Sequence, residues 1–102
     1  MKPQVSATII TLDAERTLEG ALAALEWVDE IVVVDSGSGD ATLEIARSHG
    51  ARCLVREWPG YGVQKARAAR AARGEWILSV DADEVVSPEL SRSIRSAVSD
   101  PG

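Results

Sequence analysis

The sequence predicts an α/β fold, a Rossmann-like parallel sheet of about four strands covered by helices in the order βαβαβαβα. Two observations carry this. Runs rich in Val and Ile, such as Ile31-Val32-Val33-Val34 and Ile77-Leu78, alternate with segments whose apolar residues recur at helical spacing. Capping residues and glycines mark the changes between them. At 102 residues the chain is a single domain, 1–102, without internal repeat, linker or low-complexity tail.

The elements follow in order. Ser6 to Thr11 is a strand rich in β-branched residues. Asp13 is placed to cap a helix whose apolar face is Leu18, Ala21, Leu22 and Leu25. Glu30 to Asp35 reads as a parallel strand buried on both faces, because its apolar run is unbroken. Asp40 caps a second helix, which Gly50 closes just after His49. Ala51 to Arg56 is the third strand. A Pro/Gly turn, Glu57 to Gly62, leads into an alanine-rich helix ending near Gly74, and Glu75 to Asp81 is the fourth strand. Ser87-Pro88 starts the last helix, with Ser as cap and Pro at the first helical position, and Pro101-Gly102 supplies a stop.

Composition narrows the function. A net charge of −5 argues against a general nucleic-acid binder, whose affinity comes from Lys and Arg. Arg67, Arg70 and Arg73 recur every three residues and predict one basic stripe, read as a solvated helix face. The lone Cys53, between apolar strand residues, predicts a buried thiol without a disulfide. His49, the only histidine, has no second His or Cys beside it, so zinc is not expected. Trp27 and Trp76 flank strands and read as packing residues, whereas Trp58 and Tyr61 sit in a turn near the strand ends. Neither a signal peptide nor a membrane-spanning stretch is evident, so a cytoplasmic location is expected.

Polar groups follow three of the four strands: Thr11 and Asp13, Asp35, and Asp81 with Asp83. Ligands of an open parallel sheet gather at those strand ends. Residues two apart on an extended chain face the same side, so Asp81 and Asp83 are placed to share one hard cation. Mg²⁺ or Mn²⁺ held by one or two carboxylates, with open positions left, is a usual way to bind a diphosphate.

Taken together, these segments resemble the inverting glycosyltransferases of family 2, which have the GT-A nucleotide-sugar fold. The elements are Thr11-Leu12-Asp13, Val34-Asp35-Ser36-Gly37-Ser38-Gly39-Asp40, and the run Gly74-Glu75-Trp76-Ile77-Leu78-Ser79-Val80-Asp81-Ala82-Asp83-Glu84. The turn Trp58-Pro59-Gly60-Tyr61-Gly62-Val63-Gln64-Lys65 resembles a branch that includes bacterial lipopolysaccharide inner-core glucosyltransferases. The resemblance implies that Thr11 and Asp13 lie beside a nucleoside and that Asp35 accepts a hydrogen bond from its base. It implies that Asp81 contacts ribose or sugar and that Asp83, with Asp81, holds the metal bridging the diphosphate. Lys65 or Arg67, near the start of the alanine-rich helix, would neutralise that diphosphate or meet the base. The implied partners are a nucleoside-diphosphate sugar and an acceptor glycan or glycolipid, with the full-length parent working at the inner face of the membrane.

The chain departs from the family pattern at Asp13 and Ala66, where Asn is usual, and at Gly39, where Thr is usual. A carboxylate at Asp13 would repel a pyrophosphate unless a cation compensates. The family's second half, which supplies acceptor contacts and a general base, has no counterpart here, so the expectation is a truncated or excised donor domain with little transfer activity. Self-association through an apolar face left uncovered is a further expectation. Two other classes compete. One is a non-catalytic nucleotide-binding module. The other is an S-adenosylmethionine-dependent methyltransferase, suggested by Asp35-Ser36-Gly37-Ser38-Gly39; against it, Ala41 replaces the third glycine and Asp81 and Asp83 stay unexplained.

Overall fold

A computed structural model of the chain describes residues 4–99. The strands are β1 (Val5–Thr11), β2 (Glu30–Asp35), β3 (Arg52–Val55) and β4 (Trp76–Ser79), all parallel, in the order β3-β2-β1-β4. The helices are α1 (Leu18–Ala23), α2 (Thr42–Ser48), α3 (Tyr61–Ala71) and α4 (Pro88–Ser99). The predicted helix stop at residues 100–102 lies outside the described residues. Among the described residues, no helix is long and apolar enough to cross a membrane.

The period-two geometry of the strands divides the core into two layers. Ala7 and Ile9 of β1 and Val33 of β2 pack with Leu18, Leu22 and Leu25 and with Ala46 of α2. Val32 and Val34 face the other way, against Ala68 of α3, with Ile10, Leu54 and Ala71 around them. The unbroken apolar run of β2 is thus buried on both sides, as predicted. Cys53 is half-buried, and burial pushes its thiol pKa up.

The chain steps outward from β1 through β2 to β3, then crosses back to lay β4 on the other side of β1. Strand order therefore reverses at β1, the place where ligands of such sheets collect. Thr11 pairs in register with Asp35, and Asp35 with Val55, so their side chains share the C-terminal rim.

The opposite rim is tied together by Glu30, which accepts from Ser6 Oγ at 2.7 Å and from the Arg73 amide at 2.8 Å. Burial works against ionisation of Glu30, but these donors and Arg52 outweigh it and lower its pKa below 4.5. Ser6 Oγ in turn accepts from Gly74 N at 2.8 Å. A Cβ on Gly74 would lie 2.6 Å from Ser6 Oγ and 2.8 Å from Ser6 N. Gly74→Ala is expected to cost about 1–3 kcal/mol through this overpacking, read as a lower urea midpoint.

Several boundaries differ from those predicted. α3 ends at Ala71 because Ala72 is extended (ψ 142°), and Arg73 leaves the helix to bond Glu30. The predicted arginine stripe is broken accordingly. β4 stops at Ser79, two residues before Asp81. It is an edge strand, so Trp76 and Ile77 remain 52% and 47% exposed and Trp76 is no core residue. Trp27 is half-buried, its Nε1 donating to Ala24 O at 3.1 Å. The ends of α2 and α4 follow local chemistry. Gly50 closes α2 with φ 78°, and Ser87 Oγ caps α4 by accepting from Leu90 N at 3.1 Å.

Candidate active site

Asp35 is the structural centre of the rim. Its side chain is fully buried and both oxygens accept hydrogen bonds. Oδ1 takes the Thr11 hydroxyl at 2.6 Å and the Ser38 hydroxyl at 2.5 Å. Oδ2 takes the amides of Gly37 at 2.9 Å and Ser38 at 2.7 Å. Gly37 reaches this turn with φ 99°, a conformation glycine adopts freely. Burial alone would raise the carboxyl pKa, but the Ser38 hydroxyl and amide, then Thr11 and Gly37, hold it below the ordinary 3.8. A nucleobase N–H would have to displace one of these donors to reach Asp35.

Asp13 does not cap α1, which starts five residues later behind Thr17. It sits in the left-handed region with φ 49°, which Asp tolerates better than most residues. Its Oδ1 accepts from Gly39 N at 2.8 Å, and its amide donates to Ser38 Oγ at 2.8 Å. Two departures from the family pattern, Asp13 and Gly39, are thus partners of each other. The same seam continues where Ala14 N donates to Thr42 Oγ1 at 2.8 Å and Glu15 N to Asp40 Oδ2 at 3.2 Å. Asp40 also accepts from Thr42 N at 2.9 Å, so it serves the start of α2 from one residue before the N-cap, Ala41.

Asp81 and Asp83 lie on a turn, not on a strand. The turn is closed by Glu84 N donating to Asp81 O at 3.0 Å, while Asp81 N donates to Glu84 Oε1 at 3.2 Å. The place of the two carboxylates at the sheet's rim is therefore set by the turn instead of by the strand pleat. Both are exposed and line one cleft of about 600 Å³ with Ile10, Thr11, Leu12, Trp58 and Tyr61. Lys65 stands beside it, its Nζ 3.9 Å from Asp81 Oδ1 and 4.8 Å from the centre of the Tyr61 ring.

The structure thus gathers Thr11, Asp81 and Asp83 in one cleft, with Lys65 at its edge. Asp13, Asp35 and Arg67 lie outside the cleft wall. Arg67 is a brace: its Nη1 donates to Glu57 O at 3.2 Å and to Gln64 Oε1 at 3.1 Å. Gln64, fully buried, donates through Nε2 to Ser36 Oγ at 3.1 Å. Sequence reasoning missed Gln64, although it lies four residues before Ala68 on the helix face turned to β2. It also missed Ser38, whose position three residues after Asp35 is a common signature of a side-chain-closed turn.

The cleft fits a divalent cation by its donor set. Asp81 and Asp83 offer hard carboxylate oxygens, and no group of three or more His, Cys, Asp or Glu side chains able to hold a metal occurs among the described residues. Two carboxylates at the cleft leave positions for phosphate oxygens and water, as Mg²⁺ and Mn²⁺ prefer.

Comparison with known proteins agrees with the geometry. Residues 6–102 match Glycosyl transferase family 2. An uncharacterized glycosyltransferase of Rickettsia bellii is 42% identical over 92 residues, covering 89% of this chain and 31% of that protein. The lipopolysaccharide core biosynthesis glycosyltransferase LpsC of Rhizobium meliloti is 38% identical over 94 residues, covering 87% of this chain and 35% of LpsC. The chain therefore spans about a third of the length of the relatives it matches. Among solved structures, glucosyl-3-phosphoglycerate synthase of Mycobacterium tuberculosis in complex with UDP superposes with a TM-score of 0.77 at 27% identity, over 98% of this chain and 42% of that one. The same enzyme is also solved with Mn²⁺, UDP and glucosyl-3-phosphoglycerate, where the TM-score is 0.68 at 30% identity, over 78% of this chain and 33% of that one. With the parallel sheet, the rim and the family match in agreement, this chain belongs to glycosyltransferase family 2 and has the GT-A fold.

Proposed function

We propose that this chain is the donor-binding part of an inverting family 2 glycosyltransferase. It would hold a nucleoside-diphosphate sugar together with one divalent cation, for transfer of the sugar to an acceptor hydroxyl on a glycan or glycolipid. The observation that carries the reading is the cleft where strand order reverses, in which Asp81 and Asp83 meet Thr11 and two exposed aromatic rings. Asp83 and Asp81 would hold the cation, Mg²⁺ or Mn²⁺. Bound there, it would neutralise charge on the departing nucleoside diphosphate.

The chain's other residues have separable tasks. Lys65 adds a positive charge that no metal has to provide, and through Asp81 it keeps that charge at the cleft edge. Thr11 lines the nucleoside side, positioned by its hydrogen bond to Asp35. Asp35 serves the donor by ordering the rim, and Asp13 by stitching the two loops. Arg67 acts through Gln64 and Glu57 rather than on the diphosphate. Asp81 and Asp83 are the only carboxylates lining the cleft among the described residues, so the acceptor's general base is assigned to the two-thirds of the relatives that this chain does not span. Accordingly, the isolated chain binds donor and transfers little or no sugar. The likeness to LpsC supports cell-envelope polysaccharide as the acceptor class.

Calorimetric titration of UDP with and without Mn²⁺ tests the reading. Metal-dependent binding is expected, and absence of binding for UDP and GDP alike would sink it. In the same titration Lys65→Met should weaken UDP about tenfold with Mn²⁺ present, the value of one charge-assisted contact, and the loss should shrink as salt is raised. An unchanged affinity would remove Lys65 from the site.

A further inference from the structure

Trp58 and Tyr61 are 51% and 56% exposed, although both stand on the wall of the cleft that holds Asp81 and Asp83. Their rings meet edge to face, with centroids 5.9 Å apart and planes at 80°, and so form a corner. One side of Tyr61 is taken by the Lys65 ammonium. The face of Trp58 is the larger flat apolar surface left at the cleft. Leu12, 57% exposed, and Ile10 and Ala14 add apolar lining.

The turn that carries Trp58 is held in place from behind. Arg67 bonds the Glu57 carbonyl just before it, and Arg67 is itself fixed by the buried Gln64. Gly60 follows with φ 120°, which sets the sharp entry into α3. The backbone on either side of the ring is therefore held, and a ligand stacking there loses little to ordering the loop.

The cleft thus has two chemistries side by side, a flat apolar corner and a pair of carboxylates suited to a cation. A molecule that satisfies both carries a planar ring at one end and a diphosphate at the other. We propose that Trp58 is the stacking platform for the nucleobase of the donor, with Tyr61 set on edge beside it and held by Lys65. The proposal rests on the donor-site reading above and adds the residue that supplies base affinity. A stack uses the π-face that every base has, so this platform holds pyrimidine and purine alike.

The test titrates UDP, GDP and inorganic pyrophosphate, all with Mn²⁺, into the native chain and into Trp58→Leu and Trp58→Phe, with tryptophan fluorescence followed in parallel. Trp58 is half exposed, so its replacement should leave the melting temperature in place. In Trp58→Leu the nucleotides should bind about 5- to 150-fold more weakly, the range of one base–aromatic stack. Pyrophosphate should bind as before, and Trp58→Phe should recover most of the loss. UDP should quench fluorescence in the native chain, and Trp58→Leu should lose that quench. Equal UDP affinity in native and Trp58→Leu chains overturns the proposal. So does an equal loss for UDP and pyrophosphate, which marks a general disturbance of the cleft. A loss seen for a UDP-sugar but not for UDP also overturns it, moving the platform to the sugar. If pyrophosphate binds and the nucleotides bind no more tightly, the stack falls while the metal–diphosphate site stands. If nothing binds, the donor-site reading fails and the stack with it.

Discussion

Asp83→Ala is expected to lose metal-dependent nucleotide binding, with UDP affinity in Mn²⁺ falling about 100-fold or more. Altering groups that merely orient a metal ligand typically costs about 10- to 100-fold, and removing one of the two carboxylates lining the cleft should cost at least the upper figure. Asp83 is exposed and lies on a turn, so the variant should fold normally, with a melting temperature within about 2 °C of the native chain. Calorimetry in Mn²⁺ and in a metal-free buffer checks this. The native chain should show a large metal effect and the variant almost none. If the variant binds UDP in Mn²⁺ as the native chain does, Asp83 is not the metal ligand.

Asp35→Asn should do the opposite, lowering stability with a smaller direct effect on metal. The native carboxylate accepts four hydrogen bonds in a fully buried position. An asparagine amide keeps the shape but turns an NH₂ toward donors, leaving some of them unpaired. The expected cost is about 3 kcal/mol, the scale of losing charged hydrogen bonds and burying unsatisfied groups. For a domain of this size that is a fall in melting temperature of about 12–24 °C. Because folding lowers the Asp35 pKa below 3.8, its ionised form is the one the fold favours. That contribution is complete above the unfolded-chain value and is lost as pH falls through the lower folded value. Urea midpoints should therefore drop on acidification below about pH 4 in the native chain. Glu30, also lowered, adds to the drop. Asp35→Asn should show a shallower fall, and the same pH slope in both proteins would remove Asp35 as a source.

Most of the architecture was legible because it is written in local patterns. The apolar run of β2, the 3.6-residue spacing of Leu18, Leu22 and Leu25, Gly50 at the end of α2 and Ser87-Pro88 at the start of α4 each act over a few residues. The misread positions are those whose partner is distant in sequence. Asp13 looked like a helix cap, but Gly39 and Ser38 claim it across the loops. Arg73 looked like the last member of a helical stripe, but Glu30 draws its amide out of the helix.

The candidate site divides along the same line. Asp81 and Asp83 could be named from their spacing after an apolar run, and Trp58 and Tyr61 from a Pro/Gly turn near the rim. Their meeting in one cleft depends on β4 crossing back to pair with β1, which no local signal encodes. Arg67 and Lys65 are two residues apart and were equal candidates for the diphosphate. A step of two along a helix turns the side chains far apart, so α3 packing sends Arg67 to Glu57 and Lys65 to Asp81.

Sequence chemistry alone was enough for the element order and the parallel sheet, because periodicity and caps are short-range properties of the chain, and the ordered motifs were enough for the resemblance to the family. Strand order, the saturation of Asp35 and the division of labour among Asp13, Lys65 and Arg67 came only with the tertiary structure. Those depend on which donors and acceptors meet when distant segments pack, and a buried polar group takes whatever partner the fold brings within about 3 Å.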